Sequence, residues 1–153
     1  MNKIILWGML CIFSITPAIA QIEKYGSKDE AVAMVKRVKV MFKKQGARKT
    51  FKAVTSQKYM FKDRDLYPFI YDLKGINVAH GVKEVLVGKN LLELRDGENV
   101  PLLKLMIKAV KNKGNGWVNY KWPNPVTGNL TSKSAYVEKL GKDYFVGVGV
   151  YRN

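Results

Sequence analysis

The chain has 153 residues, and 27 Lys or Arg against 12 Asp or Glu give a formal net charge of +15. That length suits one domain around one core, and the basic excess favours anionic partners or surfaces. A single His and a single Cys, with no Gly-x-Ser-x-Gly or His-Glu-x-x-His run, count against hydrolase, kinase and zinc-enzyme chemistry, so neither catalysis nor a cofactor or metal is expected.

Met1-Asn2-Lys3, the apolar run Ile4–Ile15 and Ala18-Ile19-Ala20 have the form of a secretory signal peptide cleaved after Ala20. An uncleaved anchor is the alternative, although the run is short for a spanning helix. Residues 1–20 are therefore expected to be a leader and 21–153 one domain, periplasmic or secreted, with no transmembrane segment after cleavage. Cys11 leaves with the leader, so no disulfide or thiol site is expected in the mature chain.

Ser27 and Glu30 form a capping-box pattern. Ala31, Val32, Met34, Val35, Val38, Met41 and Phe42 follow a helical period. Gly46 is a natural stop, which gives a long amphipathic helix of about five turns. A shorter helix is predicted over Arg48–Thr55. Asp65–Leu73 reads as a strand, with Pro68 arguing for an edge position or a local break. Lys74-Gly75 turns into a returning strand, Ile76–His80. Leu91, Leu92 and Leu94 offer apolar surface before the Asp96-Gly97 turn.

Pro101 fits the first turn of a helix whose predicted buried stripe is Leu102, Leu105, Met106, Ala109 and Val110, ended by Gly114. Three strands follow: Trp117–Trp122, stopped by Pro123 and Pro125; Leu130–Lys139; and Tyr144–Tyr151. Nothing alternates strand-helix-strand, which excludes a doubly wound parallel sheet. The fold class is α+β, a five-stranded antiparallel sheet with the long N-terminal helix packed on it. Gly147-Val148-Gly149 sits inside a strand and is not a nucleotide loop.

The binding inventory is richer than the catalytic one. Lys133 shares parity with Ala135 and Val137. If they face the core, so does its ammonium, which is costly unless paired, and a ligand carboxylate would pair it. The alternative is that Lys133 snorkels out to solvent. His80 ends a strand and could donate to the same carboxylate or be a structural residue. Tyr67, Tyr120, Trp122 and Tyr136 read either as core or as pocket lining, since a buried tyrosine hydroxyl needs a partner. The dense basic runs Lys36–Lys52 and Lys104–Lys113 read as solvated helix faces, or else as a surface for anionic polymers or lipid headgroups.

Leu66-Tyr67-Pro68-Phe69, Asp72-Leu73-Lys74-Gly75, Ala79-His80 and Leu86-Val87-Gly88-Lys89-Asn90 resemble the first half of a single Cache domain of the second class. Gly116-Trp117-Val118-Asn119-Tyr120-Lys121-Trp122-Pro123-Asn124-Pro125, Lys133-Ser134-Ala135-Tyr136-Val137 and Gly147-Val148-Gly149-Val150-Tyr151 resemble its second half. The resemblance runs from Ala31 to Tyr151. It implies an extracytoplasmic sensor with a PAS-like sheet that binds a small organic acid such as acetate, propionate, pyruvate or lactate. Carried over by position, it implies Tyr67, His80, Tyr120, Trp122, Lys133 and Tyr136 as ligand-binding residues. It also implies a partner that reads the bound state, a membrane-bound receptor, kinase or transporter, and no nucleic acid. Where the family often has proline after the strand-ending histidine, this chain has Gly81, which is expected to loosen that loop.

Overall fold

A computed structural model describes residues 24–56 and 58–151. The expected leader and its cleavage site lie outside the described residues. The elements in chain order are α1 (Lys28–Ser56), α2 (Lys58–Phe61), β1 (Pro68–Asp72), β2 (Asn77–His80), a single 3-10 turn (Glu84–Leu86), α3 (Leu102–Lys113), β3 (Asn115–Pro123), β4 (Leu130–Leu140) and β5 (Tyr144–Tyr151). Among the described residues no helix is long and apolar enough to cross a membrane.

The start of α1 is built as its sequence dictates. Glu30 N–H donates to Ser27 Oγ (3.2 Å) and Ser27 N–H donates to Glu30 Oε2 (2.7 Å), which satisfies two free donors of the first turn. The hydrogen bond from Ser27, helped by Arg64, holds the Glu30 carboxyl down at about 2. At Gly46 the backbone leaves the helix (φ 76°, ψ 174°), so α1 is two helical segments meeting at a kink. Glycine adopts that positive φ without a Cβ penalty, and the predicted division at Gly46 is found there.

The sheet is antiparallel with strand order β2-β1-β5-β4-β3. α1 covers one face, packing Ala31, Met34, Val35 and Val38 on Ile70, Leu140, Val146, Val148 and Val150. α3 covers the other, packing Leu102, Leu103, Met106 and Val110 on Phe69, Val118, Ala135, Val137 and Phe145. β5 lies at the centre and is buried on both faces.

Several expectations are corrected. Residues 65–67 are not strand, because Asp63 and Leu66 close a turn on each other through Arg64 (φ 54°). Pro68 is neither on an edge strand nor at a break: it opens the interior strand β1, a position that needs no donor of its own, and its carbonyl accepts Gly81 N–H (2.9 Å). The buried stripe of α3 is Leu102, Leu103, Met106, Ile107 and Val110, with Leu105 exposed. Both stripes satisfy a 3.6 period, and contact with the sheet selects between them.

Candidate functional site

Five of the six candidate residues collect on the α3 face of the sheet. Lys133, near the start of β4, stands between Tyr120 of β3 and Tyr151 of β5, its register partners. Period two then fixes its direction: Ala135 and Val137 point the same way and are core, so the Lys133 stem is carried inward. It is 1% exposed, which settles the inward alternative. Gly149 on β5 makes this possible, since a Cβ there would overlap the lysine's Cε. Gly147 does the same for the Phe69 ring. The two glycines are the space that two large side chains occupy.

Lys133 Nζ donates to Tyr67 Oη (2.8 Å), Tyr67 and Tyr151 hydroxyls lie 2.9 Å apart, and Tyr151 donates to the Pro123 carbonyl (2.9 Å). Because the single Tyr151 proton goes to Pro123, Tyr67 donates to Tyr151 and accepts from Lys133. Its Nζ also lies 3.9 Å from the Tyr67 ring centre and 4.8 Å from that of Tyr151. Among the described residues it has no carboxylate partner within ion-pair distance. Asp65, fully buried, accepts instead from Gly26 N–H (2.6 Å) and Tyr151 N–H (3.4 Å). Burial drives the Lys133 pKa well below its ordinary value, and Asp65 only partly opposes this.

His80 closes the next side. Its Nδ1 accepts from Val82 N–H (3.2 Å) and Lys83 N–H (3.0 Å). A nitrogen that accepts two backbone donors carries no proton, so the imidazole proton sits on Nε2. Burial, with the cations of Lys133 and Lys83 adding to it, lowers the His80 pKa to about 3. The ring is a neutral donor at any physiological pH. The loop after it is not loosened by Gly81: that residue's N–H reaches Pro68, a bond that proline could not make.

Between these groups is a cavity floored by Tyr67, Phe69, Tyr71, Tyr120 and Trp122, roofed by Leu102, Leu103 and Met106 of α3, with Lys133 and His80 at its polar side. Its volume is about 10 Å³, room for about one water. Anything larger than a water must displace side chains to enter it. Burial raises the Tyr120 hydroxyl well above its usual range and brings Tyr71 to about 12, so both remain protonated. Lys83 lies over the Trp122 ring at 5.3 Å.

Five of the six residues proposed from sequence meet here: Tyr67, His80, Tyr120, Trp122 and Lys133. Tyr136 does not. It is one position out of phase with Lys133 and Ala135, so it faces α1, where its hydroxyl donates to Glu138 Oε2 (3.0 Å) and its ring lies 5.5 Å from Trp117. Lys36 (2.8 Å) and Lys39 pair with the same Glu138, so this cluster ties β4 to α1. The sequence reading missed Phe69, Tyr71, Tyr151 and the α3 roof. Tyr151 could have been found: it shares parity with Gly147 and Gly149.

The family model dCache_2, described as a Cache domain, matches residues 18–153. The chain belongs to the Cache domain family. It is 36% identical over 89 residues to the sensor histidine kinase MctS of Rhizobium johnstonii, covering 58% of this chain and 19% of that protein. It is 28% identical over 90 residues to the methyl-accepting chemotaxis protein McpP of Pseudomonas putida, covering 58% and 16%. It thus spans about a fifth or less of the length of the curated relatives it matches.

Among solved structures, a methyl-accepting chemotaxis protein from Vibrio parahaemolyticus superposes with a TM-score of 0.71 at 28% identity, over 81% of this chain and 87% of that one. A Cache chemosensory domain described in terms of carboxylic acid recognition superposes at 0.65 with 23% identity, over 82% and 88%, a likeness of fold. This Cache chain therefore shares its fold with solved chemoreceptor Cache domains, with α1 on one face of its sheet and α3 on the other.

Proposed function

We propose that this Cache chain is a binding and sensing module for a small organic acid of the acetate, propionate, pyruvate or lactate type, exported to the periplasm or beyond, and not an enzyme. The observation that carries the reading is Lys133: a fully buried amine, unpaired with any described carboxylate, facing a closed aromatic cavity. A ligand carboxylate completes it. Every polar group offered from the lining is a donor or can act as one: the Lys133 amine, His80 Nε2–H, and the hydroxyls of Tyr120 and Tyr71. A lining with several donors and no carboxylate among its described residues suits an anion. The aromatic floor and the Leu102, Leu103 and Met106 roof suit a short hydrocarbon tail.

In this reading the acid enters beneath α3, Lys133 turns from Tyr67 to the carboxylate, and His80 donates to the second oxygen. α3 and the rim around Trp122 adjust, and a separate membrane-bound receptor, kinase or transporter reads the change.

A thermal-shift panel of short monocarboxylates tests this, because a ligand that binds only the folded state raises its stability. Lys133→Met should weaken the best binder by roughly ten- to a hundredfold, corresponding to about 1.5–3 kcal/mol for a hydrogen bond to a charged group. Lys121→Met, on the opposite face of β3, should not. Equal affinity in the Lys133→Met variant would remove the lysine from the site.

A second reading has its own support. No acidic residue occurs between Glu30 and Asp63, and Lys43, Lys44, Arg48, Lys49 and Lys52 lie exposed about the Gly46 kink. Such a surface fits anionic polymers or lipid headgroups. Binding of that kind weakens steeply with salt, whereas a closed cavity is screened far less.

A further inference from the structure

We infer that the cavity takes up one proton with each carboxylate it binds, so that the ligand is in effect an acid anion plus a proton, with the proton landing on Lys133 Nζ. The inference rests on the reading of the cavity as a monocarboxylate site and goes beyond it in naming the second species bound.

The geometry carries it. Lys133 is 1% exposed and, among the described residues that line the cavity, is the only formal cation. The groups that face it come from every surrounding element. From the turn before β1 and from β1 there are Tyr67 and the Phe69 ring, and from β3 and β5 there are Tyr120 and Tyr151, all uncharged phenols or rings. From β2 and the loop after it there are His80, neutral because Nδ1 accepts two backbone N–H groups, and Lys83, a cation that opposes a second positive charge. α3 adds only Leu102, Leu103 and Met106. Asp65 is the one acid whose field favours the ammonium, but both its oxygens are engaged by backbone N–H groups.

A lone ammonium in this setting is costly, and the amine sheds its proton to avoid the cost. Burial accordingly pushes the Lys133 pKa down. A carboxylate beside it reverses the balance. Two opposite charges with hydrogen bonds between them are tolerated where one is not. The balanced step is carboxylate, proton from solvent and neutral amine giving a carboxylate–ammonium pair, with no net charge added to the cavity. Two consequences follow from the same accounting of charge. Affinity rises as pH falls, by about tenfold per unit while the free amine is neutral and the bound one charged. A dicarboxylate is rejected, because its second charge would be buried without a partner.

The test is titration calorimetry of the protein with sodium propionate, and in parallel with sodium pyruvate, at one pH near neutrality in PIPES, HEPES and Tris. The dependence of the observed heat on the buffer's heat of ionisation gives the protons exchanged. The expected result is an uptake near one proton per acid, and a loss of that uptake in Lys133→Met. Binding with no proton exchange overturns the inference and leaves the acid-binding reading intact. Binding of neither probe, with no stabilisation by any acid of the panel, overturns that reading and the inference with it. A ligand-free measurement stands beside these: the ¹³Cε resonance of Lys133, identified by its disappearance in Lys133→Met, should show a neutral amine at pH 7. An amine that is charged there in the free protein also overturns the inference.

Discussion

Gly149→Ala is the sharpest probe of how the sheet makes room for its lysine. The added Cβ would overlap Lys133 Cε and lie 2.9 Å from both Cδ and Cγ, closer than real Cβ contacts come. Neither side can yield easily. Gly149 is in the central strand, paired with Ala135, and the Lys133 stem is enclosed by Tyr67 and Tyr151. Overpacking of this kind costs about 1–3 kcal/mol. For a domain of this size that is a fall in Tm of roughly 3–15 °C.

The same substitution in a Lys133→Ala background meets no stem. There alanine's lower conformational entropy cost should make it neutral or stabilising by about 0.5–1 kcal/mol. The cost of Gly149→Ala should therefore vanish or reverse in the second background, a coupling of at least about 1 kcal/mol on these magnitudes. Urea denaturation of the four proteins of the cycle measures it. An identical cost in both backgrounds would refute the claim that Gly149 exists to admit Lys133, and would place the strain in the strand itself.

Other outcomes follow from the same geometry. His80 has a folded pKa of about 3 against an ordinary 6.5, so its contribution is fully present above 6.5 and is lost as pH falls toward 3, when the unfolded chain protonates first. His80→Asn, whose Oδ1 can replace Nδ1 as acceptor for Val82 and Lys83, should flatten that part of the parent's stability–pH curve in urea melts; an unchanged slope would contradict the assignment. Ser27→Ala should lower stability by about 1 kcal/mol and let the Glu30 carboxyl rise from about 2 toward its ordinary value, both readable by urea melts and carboxyl NMR titration. Tyr151→Phe breaks the chain from Lys133 to Pro123 and should weaken the bound acid by up to about tenfold, the worth of one neutral hydrogen bond. Tyr136→Phe should leave affinity unchanged, because that hydroxyl serves Glu138; calorimetry on the pair distinguishes the two faces of β4.

The sequence by itself determined whatever depends on local geometry. The Ser27–Glu30 cap, the stop at Gly46, the left-handed Gly114 that ends α3 and the extent of β5 are set by hydrogen bonds and dihedrals within a few residues. The inward turn of Lys133 was also legible, because parity with Ala135 and Val137 is a property of one strand. Applied with equal strictness, that parity would have placed Tyr136 on the other face.

What only the tertiary structure decided is which strands lie side by side and which helix covers which face. β5, last in sequence, inserts between β1 and β4, and this brings Tyr67 and Tyr151 within hydrogen-bond reach across 84 positions of chain. The roof of Leu102, Leu103 and Met106 comes from a helix whose buried stripe the 3.6 period left open. Such choices are made by long-range packing, in which apolar area is buried with no signature in the local pattern. The glycines show the difference most plainly. Gly147 and Gly149 have no turn to make; what requires them is the bulk of Phe69 and Lys133, held against them by other strands.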